Sequence, residues 1–335
     1  MSGDKLYYVK YTGAGVVTLG RAGKFMPGTG AYLTEAVAKQ AAALDGFVVE
    51  GLGEDKAAKA NGAAAATPAP APAAEASPAP APAPTPPPAA PPLAKLVVPW
   101  HSERTRCDTR LARWGHAGTA VLILPPWGGD AEDIEREQLI DALRPLLDAG
   151  KLKVWSCDEV AGRALMAKEG PPQHRMWLMN QFQEYVAREV VPAIRTDGAT
   201  GEIVVAGAGI GALHAAALVC RRPDLFSRAL CASGSYRVER LLETDEVTDD
   251  LRAASPLHLL AALGEGETLA RLRTRFVLLP CGEGKDEDIG ESWDLARALG
   301  DKEIPNRVEP LGAGRGRDWV TWRTVFPRLL AEWAG

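Results

Sequence analysis

The chain has few of the features that mark secreted, disulfide-bonded or membrane-spanning proteins. Its 335 residues include five cysteines, an odd number at irregular spacing, which argues against a disulfide framework and for a reducing compartment. No apolar run approaches the roughly 18 residues needed to cross a bilayer, and the first residues form no apolar signal-peptide core. The composition therefore predicts a cytoplasmic protein without a membrane partner, and it is compatible with incorporation into a virion or another large particle.

Signals for metal ions and nucleic acids are also scarce. The histidines occur singly, without H-x-x-x-H or C-x-x-C spacing, at His101, His116, His174, His214 and His258. A net charge of −5 leaves no basic excess for a nucleic-acid partner. We therefore expect no metal, no cofactor and no nucleic acid.

A sharp change of composition predicts three parts: a module of residues 1–53, a linker of residues 54–93 and a larger domain of residues 94–335. Between Thr67 and Pro92 the chain is almost wholly alanine and proline. Such a segment buries too little apolar surface to fold and favours extended polyproline geometry at up to about 3.1 Å per residue. We interpret it as a disordered tether.

The first 53 residues predict a small β-rich module. Strand-like runs occur at Lys5–Tyr11, Val16–Leu19 and Phe47–Glu50, and Thr34 can cap a helix over residues 35–44. A unit this small gains stability by docking onto something larger. It is faintly similar to small domains in structural proteins of tailed phages, which implies anchoring to a protein assembly; an independent module with another partner is the competing interpretation.

Three glycines define the most informative motif of the larger domain. Gly207, Gly209 and Gly211 lie between an apolar β-type run, residues 202–206, and a helical run, residues 212–220. In the G-x-S-x-G nucleophile elbow, a strained turn between strand and helix carries the reactive serine, and flanking glycines relieve crowding. Here the central position is Gly209.

The same glycines match a dinucleotide fingerprint, G-x-G-x-x-G/A, through Gly207, Gly209 and Ala212. That fingerprint requires an acidic residue at the end of the next strand, about 20 residues on, to bind a ribose hydroxyl. The next strand-like run, residues 228–232, is instead followed by Ser233-Gly234-Ser235. The elbow interpretation is therefore favoured.

Short segments in a defined order surround the elbow and resemble the esterase D-like family of α/β-hydrolases over most of residues 97–335. They are Trp114–Gly118, Leu124–Gly129, Asp148–Val154, Glu189–Arg195, His214–Ala216, Arg222–Phe226, Ser233–Tyr236 and Asp318–Trp322. The resemblance implies a mostly parallel sheet with helices on both faces. It also implies an acyl-transfer site in which the elbow serine works with a histidine from a C-terminal H-D-W-x-x-W segment.

Two of the three implied catalytic positions are changed in this chain. The elbow residue is Gly209, and the histidine position holds Arg317. Glycine has no nucleophilic atom, and a guanidinium with a pKa above about 12 cannot accept a proton from a hydroxyl. For the third, acidic position we favour Asp286, with Glu283 and Asp288 as neighbours within residues 282–288; this acid can pair with Arg317.

The resemblance also implies an oxyanion hole from backbone N–H groups of Trp127 or Gly128 and of Ile210. Replacement nucleophiles are not expected, because Cys220, Cys231 and Cys281 lie on or beside core elements and are predicted to be buried thiols. The tryptophans Trp319, Trp322 and Trp333 are predicted to pack the last helix, with carbohydrate stacking as the alternative.

These observations predict an α/β domain with strands at residues 119–124, 152–156, 202–206, 228–232, 275–279 and 306–309 and helices that include residues 134–143 and 181–191. Two functions remain. The first is an inactive esterase-like domain on a tether, with a binding or structural role, anchored through residues 1–53 and able to bind a small molecule or glycan in the vacated pocket. The second is a carboxylic-ester hydrolase or acyltransferase with a rearranged site.

Overall fold

A computed structural model describes residues 6–11, 17–18, 24–25, 30–44, 47–50, 93–284 and 286–334. The chain divides into two units, Met1–Thr85 and Pro86–Gly335, which are described separately. The predicted linker, residues 54–93, lies outside the described residues except at Leu93. The three-part division of the chain therefore stays a prediction.

The first unit combines short antiparallel strands with one helix. Its elements are β1 (Leu6–Tyr11), β2 (Val17–Thr18), β3 (Lys24–Phe25), β4 (Gly30–Thr34), α1 (Glu35–Ala42) and β5 (Phe47–Glu50). One sheet has the order β4-β1-β5, and β2 pairs with β3. The predicted strands at both ends and the helix after Thr34 are present, and the structure describes Val17–Thr18 of the predicted strand Val16–Leu19 as β2.

The second unit is built on an eight-stranded sheet. Its strands are β6 (Lys95–Ser102), β7 (Cys107–Trp114), β8 (Thr119–Leu124), β9 (Leu152–Cys157), β10 (Ile203–Ala208), β11 (Phe226–Ala232), β12 (Phe276–Cys281) and β13 (Asn306–Pro310). Their spatial order is β13-β12-β11-β10-β8-β9-β7-β6. The pairs from β13 to β9 are parallel, and β7 runs antiparallel to both of its neighbours.

Strand composition explains why the sheet is covered on both faces. The strands β8 and β10 are apolar at almost every position and buried along their length, as is typical of parallel strands between helical layers. Alternate residues enter opposite cores: Leu122 and Leu124 join one cluster, and Val121 and Ile123 join the other.

Helices supply both cores. They are α2 (Asp133–Arg136), α3 (Leu139–Asp148), α4 (Val160–Met166), α5 (Pro172–Tyr185), α6 (Val191–Thr196), α7 (Ile210–Arg221), α8 (Val238–Leu242), α9 (Asp249–Ala254), α10 (Pro256–Ala262), α11 (Glu267–Leu272), α12 (Ile289–Gly300) and α13 (Trp319–Ala331). Buried residues of α2, α3 and α13 lie in one core, and those of α4 to α7 lie in the other. Within the described residues, no helix is both long and apolar enough to cross a bilayer.

The predicted mostly parallel sheet with helices on both faces is confirmed, while three details differ. The predictions did not include β6 and β7, whose mixed composition hides their pairing. The helix predicted over residues 134–143 is interrupted at Gln138, which has a left-handed φ of 61° and separates α2 from α3. The helix predicted over residues 181–191 is part of a longer run in which a π-turn, Val186–Val190, joins α5 to α6.

Candidate functional site

Gly209 occupies a strained turn between β10 and α7. Its φ and ψ are 56° and −116°, a combination that residues with a Cβ atom rarely adopt. Its N–H donates to the Ala232 carbonyl at the end of β11, 3.0 Å away. The backbone at Gly209 therefore has the sharp strand-to-helix reversal that an elbow requires.

The two flanking glycines are required by close backbone packing. A Cβ atom at Gly207 would lie 2.3 Å from the Gly211 carbonyl carbon, and one at Gly211 would lie 2.3 Å from the Leu124 carbonyl oxygen. A Cβ atom at Gly209 would meet only Pro126 Cβ, at an ordinary 3.8 Å. The turn thus has room for a side chain at its centre and at neither flank.

The predicted oxyanion residues lie on the two segments that meet at this turn. Pro126–Gly128 forms a single 3-10 turn after β8, with φ values of 51° at Trp127 and 75° at Gly128. Ile210 is the first residue of α7, so its N–H has no acceptor within the helix. A Cβ atom at Gly209 would lie 3.8 Å from Pro126, so the 3-10 turn lies beside the elbow; the role of these N–H groups as an oxyanion hole stays a prediction.

Arg317 faces a different acid from the one predicted. Its Nε lies 3.7 Å from Glu287 Oε2, and the Glu287 side chain is fully buried. Asp286, which we favoured, precedes Glu287 and has a left-handed φ of 67°. Four acidic residues lie within six positions of this loop, and sequence spacing could not decide which of them turns inward.

Glu287 also anchors a buried polar network beside the elbow. Ser233 Oγ donates to Glu287 Oε1 at 2.6 Å, and Trp322 Nε1–H donates to Ser233 Oγ at 3.1 Å. Ser233 follows the Ala232 carbonyl that accepts the Gly209 N–H. The network therefore lies directly beside the turn.

Comparisons with known proteins found similarity in solved structures alone. No protein-family model and no curated protein matches the chain. An S-formylglutathione hydrolase from Staphylococcus aureus shares 15% identity at a TM-score of 0.54, covering 72% of this chain and 96% of that one. A ferulic acid esterase shares 14% at 0.55 (71% and 96%), and an S-formylglutathione hydrolase from Agrobacterium tumefaciens shares 12% at 0.56 (72% and 94%).

The chain has the α/β-hydrolase fold. Its elbow therefore belongs to a strand in the middle of the hydrolase sheet, with four strands of the same sheet before it in the chain. A dinucleotide fingerprint opens the first βαβ unit of its own domain, so this position disfavours the nucleotide interpretation.

The three thiols near the hydrolase sheet, Cys220, Cys231 and Cys281, are buried, as predicted. Burial raises the pKa of Cys220 and of Cys281 to about 12, and it raises the pKa of Cys231 well above its usual value. Because the thiolate is the nucleophilic form, burial disfavours the reactive state of all three thiols.

A buried polar pair beneath the hydrolase elbow was not predicted. His214 on α7 and Glu159, which caps α4, are both fully buried, with Nε2 and Oε1 3.4 Å apart. The amide nitrogen of Gln183 lies 3.2 Å from His214 Nδ1, whereas His214 Nε2 makes no hydrogen bond despite its short distance to Glu159. The sequence carried one signal for this pair, the position of His214 on the elbow helix.

The tryptophans of the last helix fill the region around the network. Trp322 is fully buried, and its ring centroid lies 4.9 Å from that of Trp127 and 5.1 Å from that of Trp319. The predicted packing of α13 is confirmed at Trp322. Five surface cavities of about 320 to 550 Å³ occur elsewhere, and Gly209, Trp127, Ile210 and Arg317 line none of these five.

Within the described residues, no group of three or more His, Cys, Asp or Glu side chains is arranged to hold a metal ion. Around the elbow, Glu287 contacts Ser233 and Arg317, and Glu159 accepts the Gly162 N–H at 2.9 Å. Three polar atoms in this region, Arg317 Nε, His214 Nε2 and Glu159 Oε2, are buried without a hydrogen-bond partner.

Proposed function

We propose that residues 94–335 form a binding or structural domain that has the hydrolase fold and no ester-hydrolase activity. The observation that carries the proposal is the turn at Gly209. Its backbone has the elbow conformation and leaves space for a side chain, but the residue there has no nucleophilic atom.

The replacement of the base supports the same conclusion. Arg317 lies beside buried Glu287, and a guanidinium cannot accept a proton from a hydroxyl. A serine at the elbow would therefore have no group to accept its proton. Removing a catalytic triad costs on the order of 10⁶ in turnover, so retained backbone donors alone leave negligible hydrolysis.

The alternative is an ester hydrolase with a rearranged site, and one contact favours it. Ser233 and Glu287 are a hydroxyl and a carboxylate in hydrogen-bond contact. Ser233 is fully buried, however, and its oxygen also accepts the Trp322 N–H, so a carbonyl carbon has no approach to it. The inactive domain is the better supported function.

The test is restoration of hydrolysis with p-nitrophenyl acetate. We expect the wild-type chain to hydrolyse the ester no faster than buffer alone. The double variant Gly209→Ser/Arg317→His should hydrolyse it at least ten times faster than buffer. The reason is that the 3.8 Å clearance at Gly209 admits a serine and that the two changes supply a nucleophile and a base. Either single change should give less than the double change. A fluorophosphonate should block the restored activity.

Gly264→Ser is the matched control, because a Cβ atom at this exposed glycine meets nothing within 4 Å. It should leave hydrolysis at the buffer rate. If the wild-type chain hydrolyses the ester and a fluorophosphonate abolishes this activity, the proposal is contradicted. If Ser233→Ala also abolishes the wild-type activity, the rearranged site is supported instead.

We further propose that residues 1–53 anchor this domain to a protein assembly, a virion or phage-derived particle being the kind of assembly that the faint similarity of the module suggests. Support comes from composition: an Ala/Pro-rich segment separates the two units, and extended spacers hold domains away from crowded surfaces. A small molecule or glycan at the elbow remains part of the proposal, with the exposed ring of Trp127 beside the turn as its support.

A further inference from the structure

A polar pocket of about 320 Å³ lies where the turn between β6 and β7 meets α5. Its lining residues are Glu103, Arg104 and Arg106 of the turn and Trp177 and Gln181 of the helix. None of them belongs to the elbow, the 3-10 turn or the Glu287 network. The volume is at the lower end of small-molecule sites in proteins, which occupy roughly 300 to 1,000 Å³.

Buried hydrogen bonds fix the conformation of this turn. The Ser102 hydroxyl donates to Glu189 Oε1 at 3.1 Å and accepts the Thr105 N–H at 3.2 Å, and the side chains of Ser102 and Thr105 are buried. Arg106 is exposed and has a left-handed φ of 55°, a conformation that glycine and asparagine adopt more readily than arginine. The turn therefore holds Arg104 and Arg106 in place beside α5 at the expense of an unfavourable backbone angle.

The pocket is lined by hydrogen-bond donors that no protein group accepts. Among the described residues, the side chains of Arg104 and Gln181 take part in no hydrogen bond and no ion pair. Arg106 lies over the Trp177 ring, 5.5 Å from its centroid, and forms no ion pair within the described part of the chain. The Trp177 Nε1–H likewise has no acceptor there. Two guanidinium groups, an indole and an amide thus leave their donors available around one concavity.

The charged residues of the pocket have a positive sum. Two arginines outweigh the single carboxylate of Glu103, so the formal charge of the lining is +1. Glu184 attracts Arg104 at longer range. That carboxylate already pairs with Arg188 and Arg221. Because the whole chain carries a net charge of −5, an anion would be held here by the pocket itself and not by the overall field of the protein.

We propose that this pocket binds a phosphate monoester of a small molecule, with the phosphate between Arg104 and Arg106. A phosphate group offers three acceptor oxygens, and arginine binds phosphate through paired hydrogen bonds. The indole of Trp177 and the amide of Gln181 line the same pocket and add two further donors. A carboxylate has only two oxygens and would leave more of these donors without an acceptor. The inference goes beyond the proposed function and does not depend on it, since no elbow residue takes part.

Titration calorimetry of the full chain with phenyl phosphate and with benzoate tests the proposal, because the two probes share a phenyl ring and differ in the anionic group. We expect saturable 1:1 binding of phenyl phosphate, about tenfold tighter than that of benzoate, because the phosphate accepts more charge-assisted hydrogen bonds. Inorganic phosphate should compete with phenyl phosphate for the same site.

Substitution of either arginine should weaken the binding of phenyl phosphate. Arg104→Gln and Arg106→Gln each remove one charged donor group, and we expect a loss of affinity of about tenfold in each. Arg104→Lys should retain part of the affinity, since lysine keeps the charge and lacks the paired donors. Arg297→Gln is the matched control, because it removes the same charge from an exposed position on α12, and it should leave binding unchanged.

Far-UV circular dichroism of each variant should match the wild type, which would show that a loss of binding is not a loss of folding. The proposal would be overturned if phenyl phosphate showed no saturable binding or if inorganic phosphate did not compete with it. Equal affinity for benzoate and phenyl phosphate, or unchanged affinity in both glutamine variants, would also overturn it. So would an equal loss in Arg297→Gln, because binding would then follow the total charge of the chain.

Discussion

Three glycines within five residues meet different physical constraints at the elbow. Glycine is required at positions 207 and 211 because other backbone atoms occupy the space that a Cβ atom would take. At position 209 that space is open, and glycine is favoured there by the backbone dihedral angles. The sequence motif alone does not separate these cases. The structure identifies Gly209 as the one position where a side chain fits, and this is where an active hydrolase would place its serine.

A comparison of two alanine variants tests this difference. Gly207→Ala should lower the free energy of unfolding by about 3 kcal/mol or more, because the clash is with backbone atoms that cannot move away. Gly209→Ala should cost about 1 to 2 kcal/mol, which is the strain of its dihedral angles. Tryptophan fluorescence during urea unfolding measures both, since all nine tryptophans lie in the second unit.

Equal losses in the two variants would contradict the steric assignment. Gly264→Ala provides the baseline for an exposed glycine without close neighbours.

At the scale of elements, the elbow helix is tied to the helix that follows β9. Glu159 accepts the Gly162 N–H at the start of α4, donates its own N–H to the Gly129 carbonyl after the 3-10 turn, and faces His214 on α7. One buried residue thus connects three segments around the site. Sequence periodicity could not show this connection, because Glu159 and His214 are 55 positions apart and belong to different elements.

Substitutions of Glu159 test the connection. Glu159→Ala should lower the free energy of unfolding by about 2 kcal/mol or more, since it removes the cap of α4 and leaves the Gly162 N–H buried without an acceptor. Glu159→Gln should cost less than half as much, because an amide oxygen can still accept the Gly162 N–H.

The measurement is again urea unfolding followed by tryptophan fluorescence. An alanine variant as stable as the wild type would show that the pair does not hold these helices together.

At the scale of the whole molecule, the two units differ in how large a hydrophobic core each can form. The second unit buries a large core on both faces of an eight-stranded sheet, whereas the described residues of the first unit form a three-stranded sheet, a short pair of strands and one helix. A unit as small as the first is marginal without a partner. This contrast is the reason why we propose that the first unit binds an assembly and that the second unit is the domain attached to it.

Co-sedimentation in the native host tests the anchoring proposal. We expect the full chain to sediment with a large particle, and a variant that lacks residues 1–53 to remain in the supernatant. Its tryptophan emission should match that of the full chain, which would show that the second unit is intact. The proposal would be contradicted if the truncated variant sedimented with the particle. It would also be contradicted if the full chain remained in the supernatant.

Local sequence was sufficient for several features of this protein. The apolar runs of β8 to β12 predicted the buried sheet, because parallel strands between two helical layers must be apolar throughout. Residue identity shows that Gly209 has no nucleophilic atom and that Arg317 cannot accept a proton from a hydroxyl; that these are the catalytic positions of the fold stays a prediction.

Other features depend on contacts between residues that are distant in the chain. Whether Asp286 or Glu287 turns toward Arg317 depends on the path of a loop, and the pairing of β6 with β7 depends on neighbours that composition does not reveal. The Glu159–His214 pair arises where α4 and α7 meet. Such contacts form only after folding, which buries polar groups away from water and brings groups that are distant in the chain within a few ångströms of one another.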